Sequence, residues 1–151
     1  MDISSDFEII IDNTHFWNWA PDWILARDIY YEFNNSFSVL TPFAFSYLEE
    51  LIRSMTTDYG KEKNDELGNP IKHKVGMELI ELAIEDNDQI DEIKYKLILA
   101  TKQFFIKSSS DDKGDNRHST QHGYMHPRFW DKESFERLIH HIALLSEFAG
   151  F

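Results

Sequence analysis

Apolar residues return in steps of three and four along most of this chain, most clearly at Phe45, Leu48, Ile52, Met55 and Tyr59. That spacing follows the helical turn of about 3.6 residues and predicts an amphipathic helix from Thr41, with Thr41 as cap and Pro42 in the first turn. A second stripe, Phe135, Leu138, Ile139, Ile142, Leu145 and Phe148, predicts a last helix capped by Asp131. Between them, Val75, Leu79 and Leu82 fit a helix from Ile71 to about Asp86. Ile90, Ile93, Leu97, Ala100 and Phe104 fit a long core helix of about twenty residues. Acids at Glu85, Asp86, Asp88, Asp91 and Glu92 and lysines further on match the polarity of a helix start, so they mark an element and not a metal site.

The beginning of the chain is less regular. The apolar, β-branched run Phe7–Asp12 predicts an edge strand or a short extended arm. Phe16, Trp17, Trp19 and Trp23 cluster around Pro21 and Asp22, which open a helix to about Asn34. Such tryptophans could stack nucleic-acid bases, but packing in a core or a dimer is the ordinary use of them. Lys61–Pro70 is charged, holds Gly68 and Pro70, and reads as a solvated loop, as does the polar stretch Ser108–Asp115. Together these elements predict an all-α, up-and-down helical bundle of four to five helices with a short extended N-terminal arm. The 151 residues suit one domain, residues 1–40 forming an aromatic extension packed on the bundle.

Composition changes this picture in three ways. Hydrophobic residues make up 42% of the chain, enough for a sizeable core. Cysteine is absent, which excludes disulfides, thiolate nucleophiles and thiolate metal sites and fits a cytoplasmic location. The N-terminal residues carry no basic start and apolar run, and no segment approaches the roughly 18 apolar residues of a membrane span, so neither secretion nor a membrane is expected. The formal net charge of −12 opposes general affinity for nucleic acid, so any such contact must be local.

One segment concentrates reactive side chains: Asn116, Arg117, His118, Gln121, His122 and Tyr124 fall within nine positions. A guanidinium stays charged and offers a planar fork of donors to a phosphate, while an imidazole exchanges a proton near neutrality. Cleaving RNA without a metal requires a base for the 2′-hydroxyl, positive charge on the phosphoryl oxygens and an acid for the leaving oxygen. His122 suits the base, Arg117 the charge, and His118 or the His122 of a second copy the acid. Arg117 and His122 would diverge by roughly 140° on a straight helix, so the segment bends at Gly123 or two copies meet across a two-fold axis.

The order Arg117, His118, then His122 after a gap resembles the motif of the HEPN superfamily, compact helical-bundle proteins. The resemblance covers about Thr41 to Phe148 and leaves the aromatic N-terminus without a counterpart. It implies a metal-independent endoribonuclease of toxin–antitoxin or antiviral defence systems, acting as a homodimer on RNA, without cofactor or metal, and leaving 2′,3′-cyclic phosphate ends. Asn116 and the carboxylates Glu49 and Glu50 would be supporting residues. Tyr124 completes a pattern similar to a toxin subgroup whose tyrosine is modified by a nucleotidyltransferase antitoxin, but Met125–Trp130 departs from that subgroup's downstream pattern. The rival reading within the same resemblance is a non-catalytic dimeric module binding a nucleotide or an antitoxin.

Other readings compete on the residues alone, the plainest being that Arg117 bonds carboxylates or helix-end carbonyls while the histidines are ordinary surface or half-buried residues. His118, His122 and His126, spaced by four, would stack as metal ligands on a continuous helix, which Gly123 and Pro127 oppose. Glu49 and Arg53 stand one turn apart and read first as a surface ion pair, with a carboxylate orienting the site as the alternative; the first reading makes Glu49→Ala a weak change. His140 and His141 are expected on the polar face of the last helix, His140 with access to a dimer cleft.

Overall fold

The computed structural model describes residues 2–62, 64–106, 117 and 130–151 of the chain. Six α-helices occur among them: α1 (Ile3–Asn13), α2 (Ala20–Glu32), α3 (Phe37–Ser54), α4 (Gly76–Asn87), α5 (Glu92–Thr101) and α6 (Lys132–Ser146). A 3-10 turn, Lys102–Phe104, extends α5, and the described residues contain no strand beyond one isolated bridge between Asn64 and Pro70. The expected all-α bundle is therefore present, with six helices where four to five were expected. Consecutive helices pack on one another, and α6 closes the bundle against α1, α3 and α5.

The additional helix is α1, at the place where an edge strand or extended arm was expected. The β-branched content of Phe7–Asp12 is outweighed by two helix-forming features. Asp2 is an N-cap whose side chain accepts from the Ser4 amide, and Phe7 and Ile10 lie three apart on the face that becomes fully buried. Phe7 packs its ring near Trp23 and Tyr30 of α2. The N-terminal forty residues thus enter the core itself.

Both well-patterned helices hold their predicted faces. Phe45, Leu48 and Ile52 of α3 and Leu138, Ile139, Ile142 and Leu145 of α6 are completely buried, and Asp131 caps α6 by accepting from the Ser134 amide. The start of α3 differs from expectation. The helix begins at Phe37, placing Pro42 inside it, while Thr41 bonds its hydroxyl back to the Phe37 carbonyl. The turn at Asn35–Ser36 supplies the early hydrogen bonds, so the missing proline amide falls in the second helical turn.

The predicted Ile71–Asp86 helix starts late, at Gly76, leaving residues 71–75 irregular and exposed. The long helix expected from Ile90 is a ten-residue α5 with another face inward: Ile98 and Thr101 are buried, whereas Ile90 and Ile93 are 72% and 67% exposed. Of that apolar repeat, Leu97 and Phe104 do reach the core, while Ile90 precedes the cap at Asp91 and Ile93 faces solvent. Of the tryptophans, Trp23 and Trp130 are buried, while Phe16 and Trp17 are largely exposed. The Lys61–Pro70 loop is solvated as expected in its described residues, and the Ser108–Asp115 stretch lies outside them.

Replacing Phe7 with alanine should remove about 3–5 kcal/mol of stability, as for other fully buried phenylalanines. Urea unfolding followed by tryptophan fluorescence would read the loss; a change under about 1 kcal/mol would mean that α1 is not part of the cooperative core.

Candidate functional site

The site grows from a capping problem. The first amides of any helix lack internal acceptors, and Val75, the N-cap of α4, has no side-chain oxygen to offer. Gly76 leaves the preceding segment with φ of +58°, a conformation natural to glycine. Its amide is taken instead by a carboxylate from another helix: Glu49 Oε1 of α3 accepts from Gly76 N at 3.0 Å. A negative group at that end also meets the favourable pole of the helix dipole.

The second oxygen of the same carboxylate reaches the motif arginine. Arg117 Nη2 donates to Glu49 Oε2 at 2.9 Å, across 68 positions of sequence. Nη1 of Arg117 lies 3.7 Å from where a Cβ on Gly76 would stand, and the guanidinium carbon sits 5.8 Å from the Phe105 ring centroid. That last contact is within cation–π range. The Glu49 side chain is 10% exposed and that of Arg117 20%, so both charges are substantially withdrawn from water. Withdrawn carboxylates persist only when their oxygens are well bonded, and both of these are.

The Glu49–Arg53 ion pair read from their spacing is present at 3.9 Å, but it is largely withdrawn from the surface and Glu49 has a closer partner in Arg117. Arg53 Nη1 bonds Glu50 Oε2 at 2.8 Å and its Nη2 reaches the Lys74 carbonyl at 3.4 Å. Among the described residues the two closest pairs at this site are thus Glu49 with Arg117 and Glu50 with Arg53. Of the two carboxylates expected to support the site, Glu49 bonds Arg117 and Glu50 bonds Arg53. Arg117 is the one motif residue within the described set; Asn116, His118, His122 and Tyr124, with His126 and Arg128, lie outside the described residues.

Sequence reasoning missed Gly76, Phe105 and Arg53 as parts of this site. Gly76 had a readable signal, an uncapped glycine opening an apolar period. Phe105 had none, since its role depends on how the chain returns after α5. No group of three or more potential metal ligands occurs among the described residues, a statement that leaves the histidines at 118, 122 and 126 aside.

A second polar cluster lies on α6. His140 and His141 are not equivalent polar-face residues as expected. His140 Nδ1 stands 3.0 and 3.2 Å from the two carboxylate oxygens of the buried Asp6 on α1. His141 is itself buried and 2.8 Å from Thr101 Oγ1, whose hydroxyl proton goes to the Leu97 carbonyl at 2.9 Å. Thr101 must then accept, which assigns the proton of neutral His141 to Nε2. Burial, with the neighbouring His140 adding to it, pulls the His141 imidazole down to about 4.

No family model matches this chain, and no curated protein or solved structure matches it. The chemistry of the site therefore rests on its own residues.

Two outcomes test this geometry. Glu49→Ala should cost about 3 kcal/mol in urea unfolding because it strands a withdrawn cation and a helix amide, whereas Glu50→Ala at its more exposed pair should cost under about 1 kcal/mol. Equal effects would remove the distinction between the two pairs. For His141, the unfolded chain takes up protons below its ordinary value of 6.5 while the folded chain does so only near 4. Stability should thus fall as pH drops through that window, by up to about 3 kcal/mol, and be insensitive to this group above it. Comparing urea midpoints of wild type and His141→Gln across pH 7 to 4 isolates the term; parallel curves would contradict it.

Proposed function

We propose that this chain is a metal-independent endoribonuclease of HEPN type, acting as a homodimer in toxin–antitoxin or antiviral defence. The observation that carries the reading is the fixed guanidinium of Arg117, the motif arginine. A buried carboxylate holds it in place against the α4 terminus and the Phe105 ring. A group that must meet developing negative charge gains from being oriented in advance, and the Glu49 contact would supply that orientation.

In the proposed reaction His122 removes the proton of a ribose 2′-hydroxyl. The resulting oxygen attacks the adjacent phosphorus, and Arg117 bonds the phosphoryl oxygens as their charge increases. The bond from phosphorus to the 5′-oxygen breaks, and His118, or His122 of a second copy, supplies the proton to that leaving oxygen. The products are a 2′,3′-cyclic phosphate and a free 5′-hydroxyl. Asn116 and Glu50 support this centre, and Tyr124 is a candidate for modification by a nucleotidyltransferase antitoxin.

A second reading, a non-catalytic dimeric module that binds a nucleotide or an antitoxin, is favoured by one specific feature. Phe16 and Trp17 are 77% and 66% exposed in the connection between α1 and α2, whereas most of the other described aromatic residues, Tyr31 and Phe33 apart, are at least partly buried.

Incubating end-labelled RNA with purified protein in excess chelator distinguishes the two. A nuclease leaves cyclic-phosphate ends, and Arg117→Ala or His122→Ala lowers the rate at least about a hundredfold with the helical spectrum unchanged. Intact RNA, or cleavage equally strong in both variants, would reject the enzymatic reading.

A further inference from the structure

Among the described residues, the paired charges around Arg117 balance. Glu49 faces Arg117 and Glu50 faces Arg53, so two carboxylates neutralise two guanidiniums, on a chain whose formal net charge is −12. A polyanion approaching Arg117 gains little long-range attraction from this quartet. The additional positive charge has to come from a neighbour.

The segment leading into α4 provides it. Positions 67–77 contain no acidic residue, and Lys72, His73 and Lys74 stand in their middle. Residues 71–75 are all exposed and adopt neither helix nor strand, so their side chains and backbone face solvent. The strip is nevertheless anchored at its end nearest the site. Arg53 reaches the Lys74 carbonyl at 3.4 Å, Gly76 gives its amide to Glu49 at 3.0 Å, and a Cβ on Gly76 would lie 3.7 Å from Arg117 Nη1. The same carboxylate thus fixes both the guanidinium and the end of the basic strip. Val75, the residue between, is extended, with φ of −136° and ψ of 162°.

We infer that the exposed strip Ile71–Val75 is a binding surface for the phosphate backbone of single-stranded RNA, which Lys72 and Lys74 contact on either side of His73 while the chain leads toward Arg117. The inference rests on the ribonuclease reading for its choice of polyanion. Lys72 and Lys74 offer point charges, so the contact is with phosphates and is indifferent to base sequence. The position of the strip offers a way for an acidic protein to engage RNA through a local basic segment beside the arginine.

The test is anisotropy titration of a labelled single-stranded 2′-O-methyl oligonucleotide, which lacks the attacking hydroxyl and stays intact, over a series of salt concentrations. Lys72→Ala combined with Lys74→Ala should weaken binding about tenfold, and the slope of log affinity against log salt should become shallower by about 1.4, from two phosphate contacts at about 0.7 each. The Lys72→Arg, Lys74→Arg pair should retain wild-type affinity. Lys94→Ala with Lys96→Ala, on α5, should change it by less than about twofold. An unchanged affinity and slope in the first pair, an equal loss in the α5 pair, or preference for phosphatidylserine vesicles over the oligonucleotide would overturn the inference. Binding with the expected salt response by a protein that leaves natural RNA uncut would reject the nuclease and uphold the strip.

Discussion

A single withdrawn carboxylate organises the region around Arg117. Glu49 sits on the third helix, yet its two oxygens serve two other parts of the chain, the opening amide of α4 and the guanidinium of Arg117. Each partner makes the other possible. Without the arginine, a charged carboxylate so far from water would be costly; without the carboxylate, α4 would begin on an unsatisfied amide and Arg117 would lose its orientation. The contact therefore joins fold and chemistry, since the bond that starts a helix also positions the side chain best suited to bind phosphate.

The consequence is electrostatic restraint. Pairing stabilises the arginines at the expense of their reach, because a neutral pair has a short-range field. Such a centre attracts little from a distance. In a strongly acidic protein, that makes the local basic segment before α4 the natural complement to the arginine. On α6 a parallel economy applies. His140 meets a buried aspartate and His141 a threonine hydroxyl, and these two contacts tie the last helix to α1 and to α5. Neighbouring imidazoles on one helix thereby acquire different surroundings and different chemistry.

Much of this was legible from residue pattern, and the misses have a common cause. The stripes of α3 and α6, the Asp131 cap and the all-helical class follow from local periodicity and capping, which depend on neighbours within a turn or two. Phe7–Asp12 was misread because its β-branched side chains are indifferent to helix or strand until Trp23 and Tyr30 supply a surface to pack on. Ile90 and Ile93 fitted the period yet face solvent, since a repeat reports amphipathicity and not which neighbour covers it. Glu49 shows the same limit for charge: spacing paired it with Arg53 four residues on, a contact present at 3.9 Å, but could not show the closer partner, Arg117, sixty-eight positions away. Sequence identified the arginine and the two carboxylates as relevant; only the packed chain shows which carboxylate meets which cation.

The most direct measurement of that coupling is a double-mutant cycle in urea unfolding, using Glu49→Gln, Arg117→Gln and the two together. If the carboxylate and the guanidinium depend on each other, the double variant should lose less stability than the sum of the single losses, by at least about 1.5 kcal/mol. Strictly additive losses would contradict the account, because they would mean that the two groups do not hold each other in the folded protein.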